Sequence, residues 1–200
     1  MISSIYSKIP QRIRLLILFV FIILIAYFVL RFFAAEPRTI PEDFLRARQE
    51  ASVIAATIVA ISNESTNNFE KIAALDSEGN YTDALILVSQ ELERNRQARE
   101  KAINLSIQLE TMAKNLDKIT PSSAGQTALE AISSETALIS RLINYNDFLT
   151  QILDILREKF LGRADGDKIP ELIAKANNEA QAINDLNQKF NDIMKGFDLK

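Results

Sequence analysis

Five polar side chains stand where a helical protein would keep apolar ones: Ser65, Asn68, Asn95, Glu135 and Asn187. Each falls on a stripe of apolar residues spaced three or four positions apart, the spacing of one helix face. A carboxyl, three amides and a hydroxyl inside a bundle would make a polar pocket for a ligand or a conformational switch. The plainer role of such residues is to fix register and oligomeric state, at a cost in stability. Counted from the end where the first and third turns fall, Ser65 lies about ten residues down and Asn95 about fourteen. Asn187 lies about eighteen down and Glu135 about twenty-five. That spread over several layers favours register over one converged site.

The remaining inventory narrows the chemistry. The 200 residues include no Cys and no His. Disulfides, thiolate metal sites, cysteine nucleophiles and imidazole general bases are therefore excluded. Glu135 is the one acid that the stripes place inside, and a di-metal carboxylate bundle would need Glu-x-x-His pairs beside it. The acidic turns at Asp76, Glu78 and at Asp165, Asp167 lack the spaced oxygen ligands and closing Glu of a calcium loop. Five glycines form no phosphate-cradling loop. Asn63-Glu-Ser65 and Asn104-Leu-Ser106 match a glycosylation sequon, but both sit within helical pattern. No catalytic residue, cofactor or metal ligand is assigned, and the expectation is a chain that is not an enzyme.

Charge divides the chain in two. Residues 1–35 hold Lys8, Arg12, Arg14 and Arg31 and no acid, whereas residues 36–200 hold 19 basic and 26 acidic side chains. From Leu15 to Leu30 every residue is apolar or Tyr, and the run reaches Ala35 if Arg14 and Arg31 carry their guanidinium groups to the two interfaces. Roughly 20 helical residues cross the ~30 Å hydrocarbon layer, so this is an expected membrane span. Cleavage as a signal peptide is disfavoured: ahead of Ala34 and Ala35, Phe32 and Phe33 occupy the positions that want a small residue. Lys8, Arg12 and Arg14 precede the span, while Arg31 and Arg38 follow it among Glu36, Glu42 and Asp43. Positive-inside counting then leaves the N-terminus cytoplasmic and the body extracytoplasmic. The expected division is a basic tail over 1–14, a signal anchor over 15–35, a linker over 36–40 and a helical domain over 41–200.

The elements that carry the five polar residues follow from their stripes. The first runs through Phe44, Ala47, Ala51, Ile54, Ile58, Ile61, Ser65, Asn68, Ile72 and Leu75, predicting a helix over about 41–75 that opens with a capping box at Thr39-Ile-Pro-Glu42. The second, over 81–119, passes Tyr81, Leu85, Val88, Leu92 and Asn95, falters across Arg96–Glu100, and resumes from Ala102 to Ile119. The third, over 124–161, opens with a box at Ser123-Ala-Gly-Gln126 and carries Ala128, Ala131, Glu135, Leu138, Leu142 and Tyr145. The fourth, over 169–197, carries Ile173, Ala176, Ala180, Ile183, Asn187, Phe190, Met194 and Phe197. Short turns force neighbouring helices to run antiparallel. The expected fold class is therefore all-α: an N-terminal transmembrane helix followed by an antiparallel up-and-down four-helix bundle of coiled-coil character. No period-two run or hairpin turn competes with it.

Two likenesses are partial. Gly79-Asn-Tyr81-Thr-Asp-Ala84-Leu85 resembles the turn and second-helix start of a tetratricopeptide unit, but position 113, one period on, begins nothing similar, and a helix hairpin accounts for the phrase. The plan of an anchor plus an extracytoplasmic helical bundle resembles chemoreceptor sensor domains in architecture alone. The partners expected are the lipid bilayer and either further copies of the chain or another membrane protein. Nucleic acid is not expected, since the body is acidic and carries no basic stripe. The leading expectation is a non-enzymatic scaffold, spacer or subunit of a membrane complex. The alternative is a sensory or ligand-binding bundle that signals through a partner membrane protein.

Overall fold

A striped segment with no proline beyond its first turn propagates as helix, and Gly79, at φ 74°, stops the first such segment. A computed structural model describes residues 39–198, and these fold as four helices: α1 (Glu42–Glu78), α2 (Tyr81–Ala113), α3 (Ser122–Phe160) and α4 (Ile169–Asp198). A single 3-10 turn, Leu116–Lys118, lies between α2 and α3. Among the described residues there is no strand, only an isolated bridge between Thr39 and Thr120. The 39 residues of α3 give a rod ~58 Å long at 1.5 Å per residue. Among the described residues no helix is long and apolar enough to cross a membrane. The apolar run 15–35 and its flanks Lys8, Arg12, Arg14 and Arg31 lie outside the described residues.

The turns set direction. Gly79 takes φ 74° and donates its N–H to Asp76 O, while the Asn80 N–H reaches back to Leu75 O. This crossed pair satisfies carbonyls that the end of α1 would otherwise leave open. Asn80 then caps α2: its side-chain oxygen accepts from the Asp83 N–H at 3.4 Å and its amide donates to the Asp83 carboxylate at 2.7 Å. A link this short returns α2 along α1. Cross-helix bonds record that antiparallel course at every step. Asn68 meets Glu91, and Glu64 meets Arg94, across α1 and α2. Asn95 meets Thr150, and Arg99 meets Asp147, across α2 and α3. Ser134 meets the Leu186 carbonyl, and Arg141 meets Glu179, across α3 and α4. Helices α1 and α3, which run in the same direction, are tied at both ends. Thr39 and Thr120 exchange backbone bonds of 3.0 Å at one end, and Lys159 donates to Asp76 at 2.6 Å at the other.

The core comes in two apolar clusters. One gathers Phe44, Ile58, Leu105, Leu109, Met112, Ile132, Leu142, Met194 and Phe197 toward the Thr39–Thr120 end. The other gathers Ile72, Ala84, Val88, Leu153 and Phe160 beside the Gly79 turn. Between them on α1, α2 and α3 lie Ser65, Asn68, Glu91, Asn95 and Asn146, all buried. The polar seam residues of α1 and α2 thus divide the core rather than punctuate a continuous one.

Several expectations need correction. The stripe of α2 does not falter: Ala84, Val88, Glu91, Asn95, Ala98, Ala102, Leu105, Leu109 and Met112 are buried in unbroken alternation of fours and threes. Ala98 fills the supposed gap, and Glu91 is buried beside Leu92, which packs half-buried against the cluster near the Gly79 turn. Glu135 is therefore not the only acid inside. The helix also stops at Ala113, not near Ile119. Asn115 turns its amide back onto the Thr111 carbonyl at 2.9 Å, and Ile119 stays 3% exposed although it is no longer helical. An apolar pattern reports burial, and here a buried connector extends it past the helix end. Neither expected capping box forms. Pro41 and Pro121 hold the N-cap positions without a side-chain bond, and Thr39 pairs with Thr120 instead. Tyr81 and Ile173 are exposed, their inward places taken by Ala84 and Leu172.

Candidate functional site

Helix α3 is flanked on both sides, by α2 and by α4, as α2 is by α1 and α3. It therefore needs two inward stripes. Ile132, Ile139, Asn146, Leu153 and Phe160 recur every seven residues on one, and Ala128, Ala131, Glu135, Leu138 and Leu142 form the other. The second stripe looks toward the seam between α1 and α4, and that seam is not sealed. A cleft of about 290 Å³ opens there, walled by Ala55 and Ile58 of α1 and by Ala180, Ile183 and Asn187 of α4. Glu135, Leu138 and Leu142 lie across its floor with Leu105 of α2. A second cleft of about 660 Å³ continues toward Met194 and shares Ala55, Glu135 and Asn187 with the first.

Glu135 is the chemically active group of this seam. Its side chain is 7% exposed, yet Oε2 has no hydrogen-bond partner. A buried carboxylate without a donor loses its hydration and gains nothing in return, so the neutral form is favoured. Burial accordingly lifts the Glu135 pKa from 4.5 to about 7. Tyr145, on the wall of the smaller cleft, is also pushed up by burial. Arg48 and Lys195 line the larger cleft.

The other sequence-selected residues do different work. Asn68 donates to Glu91 Oε1 at 2.7 Å, and Arg94 makes an ion pair with the same oxygen while reaching Glu64 at 2.5 Å. Lys71 donates to the Asn68 side-chain oxygen, Oδ1, at 3.3 Å. Asn95 donates to the Asn146 carbonyl and the Thr150 hydroxyl, each at 2.7 Å, while the Asn146 amide nitrogen lacks a partner. Ser65 is buried at 8% exposure between the two clusters. Asn187 is exposed rather than buried and stands at the lip of the cleft.

Counting down from the turns had separated Glu135 from Asn187 by several residues of height. They are level. The Ser134–Leu186 and Arg141–Glu179 contacts set a register in which α3 overshoots the start of α4, and the overshoot cancels the difference. Helix ends joined by the 161–168 connector are not at equal height, which no residue count reveals. Glu91 was missed because a charged side chain was not admitted to the stripe. Its spacing from Val88 and Asn95 was the available signal. Among the described residues no cluster of acids is placed to hold a metal ion.

Fold and cleft together define an all-α helical bundle with one incompletely closed seam. No family model, characterised protein or solved structure matches the chain.

Proposed function

We propose that this chain is a single-pass membrane-anchored helical-bundle protein acting as a non-enzymatic scaffold, spacer or subunit of a membrane complex. The reading is carried by one pairing: a span-length apolar run flanked by Lys8, Arg12 and Arg14, followed by a body of long antiparallel rods. The N-terminus is cytoplasmic and the bundle extracytoplasmic. Two measurements test it. Membrane-impermeant maleimide should label Lys200→Cys from the outside of intact cells. Native mass measurement of the detergent-extracted chain should give a mass above one copy, and a lone monomer with an inward-facing C-terminus overturns the proposal.

A second reading is favoured by a specific observation, the partnerless Glu135 carboxyl in an open cleft. In this reading the bundle receives a small molecule and passes its state to a partner membrane protein. Buried polar groups without partners are rare in folded proteins, and a ligand that supplies the missing donor is one way they persist.

A further inference from the structure

We infer that the α1–α4 cleft receives an organic monocation, an ammonium group on a compact apolar body, with its N–H donating to Glu135 Oε2. The inference rests on the ligand-receiving reading and adds the class of ligand. Its starting point is the floor of the cleft, where an acceptor that is more than nine-tenths buried has no donor. An anion would meet a buried acid there. A neutral hydrocarbon would fill the space but leave Oε2 unsatisfied, at the usual cost of a buried orphan acceptor. A hard metal ion would need several oxygen ligands, and the floor offers one carboxylate. An ammonium supplies both the missing donor and the compensating charge.

The walls select the rest of the molecule. Ile58, Leu105, Leu138, Leu142 and Ile183 present hydrocarbon that an apolar body would remove from water. Asn63, Asn184 and Asn187 at the exposed edge offer amide oxygens to further N–H groups. One buried carboxylate compensates one charge, which sets the ligand as a monocation. Arg48 from α1 and Lys195 from α4, the latter ion-paired with Asp192 at 3.2 Å, are the charged side chains that line the adjoining cleft. Tyr145 is the titratable neighbour on α3 itself, and α2 contributes only Leu105, Leu109 and Met112. Binding displaces the Glu135 proton to solvent, so that carboxylate and ammonium pair in the low-dielectric floor.

The test uses the full chain in lipid nanodiscs, with empty discs as blank, and three probes of one shape: cyclohexylammonium, cyclohexanol and cyclohexanecarboxylate. Calorimetry and the ¹³C carboxyl signal of Glu135 are read from pH 5 to 9. The expected result is saturable binding of cyclohexylammonium alone. It should weaken roughly tenfold per pH unit below about 7, with the Glu135 carboxyl titrating lower when the probe is present. Glu135→Gln should weaken binding at least tenfold with an unchanged circular dichroism spectrum. Ile183→Trp, which fills the cleft and leaves the carboxyl in place, should abolish it. Equal binding of cyclohexanol, or full binding by Glu135→Gln, overturns the cation assignment and leaves the ligand-receiving reading standing. No binding by any probe at tens of millimolar overturns both.

Discussion

Two glutamates, Glu91 and Glu135, are buried in this bundle, and their surroundings could hardly differ more. Glu91 lies where α1 and α2 are held in register by the two-residue Gly79 turn, and Asn68 and Arg94 both bind its Oε1. Glu135 lies at the seam between the first and last helices, where no turn imposes closeness and no donor reaches Oε2. The lesson concerns connectivity. Helices adjacent in sequence align their polar groups through a short link, whereas the closing pair relies on side-chain fit alone. An acid in the first setting is part of the scaffold. In the second setting the same acid stays open to protonation and to a ligand.

The comparison can be broken by making Glu91 an orphan as well. Arg94→Met leaves the 1%-exposed Glu91 without its cation and should cost about 3–5 kcal/mol in urea unfolding. A melting curve matching the parent would show that the ion pair is not what makes this acid tolerable.

A smaller effect, of opposite sign, is expected at Glu135. Its carboxyl keeps its proton in the folded chain up to about 7 but loses it near 4.5 when unfolded. Stability from this group is therefore complete below about 4.5 and declines as pH rises toward 7, by on the order of 3 kcal/mol. Glu135→Gln removes that decline, so the variant should gain most at pH 8 and nothing near pH 4. A gain independent of pH would mean the carboxyl is already satisfied, by water or otherwise.

Sealing the seam from its other side should give less. Asn187→Leu places an apolar side chain at the lip of the cleft, beside Ile183 and Phe190, and is expected to add about 1 kcal/mol. Destabilisation instead would show that the Asn187 amide bonds across the gap. The smallest effect belongs to the solvated charges. Glu93 is held down at about 2, chiefly by its hydrogen bonds to Arg96 and Gln97, yet the pair is exposed. Arg96→Ala should leave the thermal midpoint unmoved, and a clear drop would assign structural weight to surface pairs that solvent is expected to screen.

Much of the fold was legible because helix periodicity is a local property. The stripe from Phe44 to Leu75 marks the inward face of α1, and Gly79-Asn80 marks its end, without reference to any neighbour. Glu135 was likewise legible as an acid on an apolar face. Glu91 has the spacing of the stripe, but what makes a buried acid tolerable there is Asn68 arriving from α1 beside the same-helix Arg94, and a stripe does not show that partner.

The sequence by itself determined that the body is helical, where the turns at Gly79 and Gly162 fall and which face of α1 turns inward, because a 3.6-residue period and a left-handed glycine act within a few residues. Only the tertiary structure decided the heights at which those faces meet. The overshoot of α3 past the start of α4 set Glu135 level with Asn187. The absence of a turn between α1 and α4 left their seam ajar, and through these two facts a lone carboxyl became the floor of a cleft.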